Sequence, residues 1–271
     1  MISKSDLVKI SDFLWEIPQD FRHDMRVPAR VYASEKTIEE ILKDRTIWQL
    51  VNVATLPGIQ KYALAMPDAH EGYGFPVGGV AAFDINEGVI SPGGIGYDIN
   101  CGVRLLRSSK TYNEIKPYLE KLGQRIYSEV PSGVGRGGRL RLNNFDLDSI
   151  LKNGLRRLIE IGYGNGQDLL RVESKGTLER AEPGMVSRNA KMRGHDQLGT
   201  MGAGNHFVEV ERIEVIFDQE IAKRLNLFED QVCVLIHTGS RGLGHQVATD
   251  YIRLMMKSMN KYKITLPDRE L

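Results

Sequence analysis

Asp98 and Cys101 stand three positions apart in Gly93-Gly94-Ile95-Gly96-Tyr97-Asp98-Ile99-Asn100-Cys101-Gly102. A short turn can aim this carboxylate and this thiol at one point, because glycine admits backbone conformations that other residues resist. The chain holds only two cysteines, and a thiol beside a carboxylate reads as half of a metal site. Histidines supply the other half. His206 follows Gly202-Ala203-Gly204-Asn205, and His237 ends the apolar run 232–236 just before Thr238-Gly239-Ser240-Arg241-Gly242. Strand ends that enter glycine loops are where α/β-type sheets place ligands. Asp98, Cys101, His206 and His237 are therefore a candidate set for one ion, or for two bridged by the thiolate. Thiolate with imidazole suits zinc, and carboxylate with imidazole suits manganese or magnesium. The donor chemistry alone favours zinc. The competing reading is a small buried cysteine and hydrogen-bonded core histidines. It is easy for any one of the four residues and harder for four at loop–strand junctions. For Cys233, inside Val232-Cys233-Val234-Leu235, the packed core cysteine is preferred.

Other stretches suggest phosphate. The loop 202–205 can cradle an anion with backbone N–H groups. Residues 238–244 precede a predicted helix whose N-terminus favours a phosphate, with Arg241 adding a bidentate contact. Residues 133–138 match G-x-G-x-x-G, but no predicted strand leads in and no helix follows, so a dinucleotide fold is set aside. Arg136, Arg139 and Arg141 form one basic cluster, and Arg188, Lys191 and Arg193 form a second. Such clusters are usually solvated faces, yet beside glycine loops they are compatible with a nucleic-acid backbone. Asp68 and Glu71, flanking His70, are a possible acid/base pair with nothing in the sequence to fix their geometry.

The elements that must position these residues follow from periodicity. Apolar spacing predicts helices over 36–46, 112–127, 146–161 and 246–259. Asp146 or Asp148 is a candidate cap for the third. Strands are predicted over 48–53, 62–66, 79–83, 102–106, 207–216 and 232–236. Residues 171–198 read as irregular, and 239–244 as a loop. One domain over 1–271 is the simplest organisation, with interleaved strands and helices.

Bulk properties narrow the class. A net charge of +1 argues neither for nor against nucleic acid, so any such surface must come from local clustering. No apolar run approaches a membrane span, and the N-terminus lacks the apolar core of a signal peptide. Two cysteines make no disulfide framework. The reading is a cytoplasmic protein with reduced thiols and no membrane partner.

Long ordered motifs then carry a resemblance. Residues 67–81, beginning Pro67-Asp68-Ala69-His70-Glu71-Gly72-Tyr73-Gly74, are followed by 91–104, which hold Asp98 and Cys101. With 131–135, 198–209 and 237–247, they resemble the RtcB family of RNA-splicing ligases from about residue 27 onward. The resemblance implies an α+β fold, with mixed sheets and surrounding helices, truncated at the C-terminus. It implies an enzyme that joins RNA 2′,3′-cyclic phosphate or 3′-phosphate ends to 5′-hydroxyl ends in tRNA splicing and RNA repair. GTP and two Mn2+ ions are the implied cofactors. RNA is the implied substrate, and an archease-type activating protein an implied partner.

Residue by residue, Asp98, Cys101, His206 and His237 match the family's manganese ligands, replacing zinc as the expected metal. Asn205, His206, Phe207, Val208 and Glu209 match its guanine-nucleotide segment. Arg193 and Arg241 fall where RNA or phosphate contacts are expected. None of the six histidines matches the histidine that the family guanylylates, which is expected beyond Leu271 together with a remaining metal ligand. The expectation is therefore a chain that forms no covalent GMP intermediate by itself. Two readings of other classes stand beside this one: a non-catalytic RNA- or nucleotide-binding relative, and a metal-dependent phosphate-ester hydrolase.

Overall fold

The computed structural model describes residues 2–134, 137–138, 140, 142 and 144–271, the side chains of Asn144 and Phe145 excepted. The basic cluster of Arg136, Arg139 and Arg141 lies outside the described residues, as does Gly135 of the G-x-G-x-x-G match. Two mixed or antiparallel sheets with helices around them make an α+β fold. Contacts divide the chain into two compact units, Met1–Tyr97 with Tyr251–Leu271, and Asp98–Asp250.

The first unit is built on a five-stranded sheet in the order β1-β2-β3-β4-β5: β1 Val8–Ser11, β2 Leu14–Ile17, β3 Ala29–Tyr32, β4 Ile59–His70 and β5 Val77–Phe83. All neighbours are antiparallel except β3 and β4. A parallel pair needs a crossover, and helices α1 (Glu35–Ile41) and α2 (Thr46–Val53) supply it. Ala29 pairs with Ala63 and Val31 with Ala65 in register, and all four are fully buried. Those small side chains let Ile38 of α1 and Leu50 of α2 pack into the same core. Helix α3 (Pro92–Ile95) closes the first segment, its Ser91 cap accepting from the Gly94 N–H at 3.1 Å.

The second unit is built on an antiparallel sheet in the order β6-β8-β7. Its elements are β6 Gly102–Thr111, α4 Tyr112–Ile115, α5 Leu119–Glu129, α6 Asn144–Asn153, α7 Leu155–Glu160, α8 Arg188–Gly194, β7 Phe207–Arg212, α9 Gln219–Leu225 and β8 Gln231–Thr238. Helix α10 (Arg241–Tyr262) begins in this unit. Among the described residues, no helix is long and apolar enough to cross a membrane.

Several elements differ from expectation for identifiable reasons. The predicted strand over 48–53 is helix α2. Its apolar run is too short for periodicity to separate strand from helix, and Ile47, Leu50, Val51 and Ala54 bury one helical face. Helix 36–46 is shorter, covering Glu35–Ile41 behind the cap Ser34. Helix 112–127 is interrupted by a 3₁₀ turn at Pro117, which has no N–H for the α ladder. Helix 146–161 starts at Asn144, so neither Asp146 nor Asp148 caps it, and it breaks at Gly154, whose φ is 57°. The stretch 171–198 contains α8, and the expected loop 239–244 is already helical from Arg241.

Candidate metal centre

Asp98 to Cys101 form a tight turn closed by the Cys101 N–H donating to the Asp98 carbonyl at 2.9 Å. Asn100 takes its left-handed position with φ 58°. Asparagine tolerates that region better than other side-chain-bearing residues. The turn leads straight into β6, which pairs with the central strand β8. Gly102 lies opposite Thr238 and Val103 opposite His237. On the other side of β8, Phe207 lies opposite His237, so His206 arrives at the same sheet end.

The result is a convergence of donor atoms. Cys101 Sγ lies 3.2 Å from His206 Nε2 and 3.0 Å from His237 Nε2. The ligand atoms of Cys101, His206 and His237 are all within 4.8 Å of one another. Asp98 Oδ2 is 2.7 Å from His206 Nε2 and yet accepts no hydrogen bond, although it is buried. Buried polar atoms normally have partners. Asp98 Oδ2 reaches His206 and stands beside, not within, the set of mutually close donors formed by Cys101, His206 and His237. Carboxylate, thiolate and imidazole together are a donor set that a divalent transition metal accepts. Desolvation, followed by the charge of Asp98 beside it, pushes the Cys101 thiol up to about 11. A bound cation would reverse that shift by favouring the thiolate.

Two glycines make room for the cluster. A Cβ on Gly202 would overlap the His206 ring, and one on Gly239 would overlap the Asp98 carboxylate. The His206 and His237 rings meet edge-on with centroids 5.4 Å apart, and Phe207 meets His237 likewise at 5.3 Å.

The other expected site residues are distributed unevenly. Phe207 and Glu209 pair with His237 and Leu235 and share their sheet face; Val208 pairs with Ile236 on the opposite face. Asn205 is exposed in the turn before His206. Arg193 on α8 donates from Nη1 to Gln246 Oε1 at 2.9 Å. Arg241 donates from Nε to Thr200 Oγ1 at 3.1 Å and from Nη2 to the Gly133 carbonyl at 2.6 Å. In the second basic cluster, Lys191 pairs with Asp148 at 2.8 Å. Cys233 is buried in β8, a core residue. Asp68, His70 and Glu71 belong to the first unit. There His70 Nδ1 lies 2.9 Å from the Asp68 carbonyl, and Glu71 accepts from the Arg45 N–H at 3.2 Å.

Sequence reasoning missed Ser240. It also read 238–244 as a loop for an outside phosphate. The anion at the start of α10 is internal: Asp98 Oδ1 accepts from Ser240 Oγ and from the Arg241 N–H, both at 3.1 Å. The signal available was the pairing of a glycine-rich turn before a helix with an acidic residue that needs hydrogen-bond donors.

A sheet end that gathers carboxylate, thiol and imidazoles from distant segments is a candidate metal centre on an α+β fold. The family model for tRNA-splicing ligase RtcB matches residues 49–271, and the chain belongs to that family, a family of enzymes. It is 54% identical over 265 residues to the tRNA-splicing ligase RtcB of Thermococcus kodakarensis, covering 98% of this chain and 55% of that protein. The corresponding protein of Aeropyrum pernix is 53% identical, over 97% of this chain and 55% of its own length. That of Nanoarchaeum equitans is 52% identical, over 98% and 55%. The chain thus spans about half the length of the curated relatives it matches.

Proposed function

We propose that this chain carries the metal- and nucleotide-facing part of an RNA ligase that joins 2′,3′-cyclic phosphate or 3′-phosphate ends to 5′-hydroxyl ends. The relatives' name, tRNA-splicing ligase, supports the reaction class. The observation that carries the reading is the convergence of Cys101, His206 and His237, with the buried Oδ2 of Asp98 2.7 Å from His206 Nε2. Asp98, Cys101, His206 and His237 would hold two Mn2+ ions. When bound, such ions act as Lewis acids on phosphoryl oxygens and offset triphosphate charge. To serve, the chain must present Cys101 as thiolate and both histidines neutral at Nε2.

GTP is the nucleotide in this reading. Phe207 offers an aromatic edge beside the centre, and Glu209, two positions along the same strand face, offers a carboxylate. A carboxylate accepts from N–H donors such as those on the guanine edge. Exposed Asn205 adds an amide. Arg193 and Arg241 are the candidates for RNA phosphate, and two donors of Arg241 are already engaged within the protein. The partners in this reading are tRNA halves or broken RNA ends and an archease-type activating protein, in the cytoplasm.

In this reading none of the chain's six histidines takes GMP, so these residues by themselves do not ligate. The test joins this chain to the C-terminal portion of the Thermococcus kodakarensis relative and supplies GTP, Mn2+ and RNA with cyclic-phosphate and 5′-hydroxyl ends. The fusion is expected to ligate, and Asp98→Ala within it to abolish ligation. The chain alone is expected to form no covalent GMP. Guanylylation of the chain alone, or ligation that survives Asp98→Ala, would contradict the reading.

A further inference from the structure

The carboxylate of Asp98 is held unequally by its surroundings. Oδ1 accepts two hydrogen bonds, from Ser240 Oγ and from the Arg241 N–H. Oδ2 receives nothing from the turn and instead lies 2.7 Å from His206 Nε2, on the side of the metal ligands. We infer that the turn of Gly239, Ser240 and Arg241 is a positioning device for the metal centre. It ties down Oδ1, so that Oδ2 alone is presented to an ion and Asp98 serves as a one-oxygen ligand. This rests on the metal reading above.

Each residue of the turn contributes something different. Gly239 gives the carboxylate space that a Cβ would fill. Ser240 Oγ lies where a Cβ on Gly244 would stand, so the first turn of α10 backs the hydroxyl toward Asp98. Arg241 holds a left-handed backbone at φ 55° while its amide points at the carboxylate. A residue with a side chain stays in that region when its surroundings over-determine it. Here the guanidinium does so, gripping Thr200 Oγ1 and the Gly133 carbonyl. Arg241 is thus a positioning residue acting through its own backbone. Groups that orient a ligating carboxylate in this way tune metal affinity without touching the metal.

The test uses the 271-residue chain with Ser240→Ala, Ser240→Thr and Gly244→Ala. Mn2+ binding is measured by calorimetry, the Co2+ form by visible absorption, and the metal-free form by thermal melting. Ser240→Ala is expected to weaken Mn2+ binding by about tenfold or more. It should alter the Co2+ bands and leave metal-free melting unchanged. Ser240→Thr, which keeps the hydroxyl, should recover most of the affinity. Gly244→Ala displaces the hydroxyl without removing it and should reproduce the loss. Wild-type Mn2+ affinity in Ser240→Ala would overturn the inference, as would a loss confined to metal-free stability. Failure of the wild-type chain itself to take up Mn2+ would overturn the metal reading and this inference with it, so the wild-type trace tells the two failures apart.

Discussion

Cys101 Sγ and His237 Nε2 lie 3.0 Å apart although 136 positions separate them in the chain. Antiparallel pairing of β6 with β8 does this: once Val103 stands opposite His237, the turn before β6 must deliver Cys101 to the end of β8. A one-residue slip of that register would send the histidine to the other sheet face. The centre is therefore a product of strand register.

Gly202→Ala places a methyl group where the His206 ring lies. Gly202 has no positive φ, so its backbone tolerates alanine. The ring must turn away, and Mn2+ affinity is expected to fall by about tenfold or more while far-UV circular dichroism keeps its wild-type shape. Unchanged calorimetric affinity would show that the ring position does not matter.

Leu50 of α2 is fully buried in the first unit. Leu50→Ala is expected to cost about 2–5 kcal/mol in urea unfolding, the usual range for a truncated core leucine. Trp48, on the same helix and 43% exposed, should cost less when replaced by alanine. The opposite ranking would argue against the helical assignment of Thr46–Val53.

Glu114 accepts from the Thr111 N–H at 2.8 Å and from Lys110 Nζ at 2.9 Å. The Thr111 N–H, followed by the Lys110 ammonium, holds the Glu114 carboxyl down at about 2. An unfolded glutamate titrates near about 4.3. The stabilisation is therefore fully present above that value and is lost as pH falls through about 2. A carbon-detected NMR titration should place Glu114 well below its unfolded range. A midpoint above about 4 would remove the Thr111–Glu114 cap from the account.

That Asp98, Cys101, His206 and His237 come together was legible because they sit at loop–strand junctions, a feature of local sequence. The thiol-carboxylate turn needed no long-range information: Asn100 and the neighbouring glycines mark it. The support behind Asp98 was hidden. Ser240 is 142 positions away in sequence, and nothing local distinguishes a serine that holds a carboxylate from one that faces water. Helix α2 was misread for a different reason. Its residues Ile47, Leu50, Val51 and Val53 suit a buried strand equally well, and tertiary packing decides between the two. Gly154 and Pro117 broke long helices that periodicity alone continues through.

The most direct test compares the two cysteines. Mn2+ is titrated calorimetrically into the wild-type chain, Cys101→Ala and Cys233→Ala. The account predicts wild-type affinity for Cys233→Ala, since that thiol is packed within β8, and a loss of about tenfold or more for Cys101→Ala. Equal affinity in the two variants would contradict it.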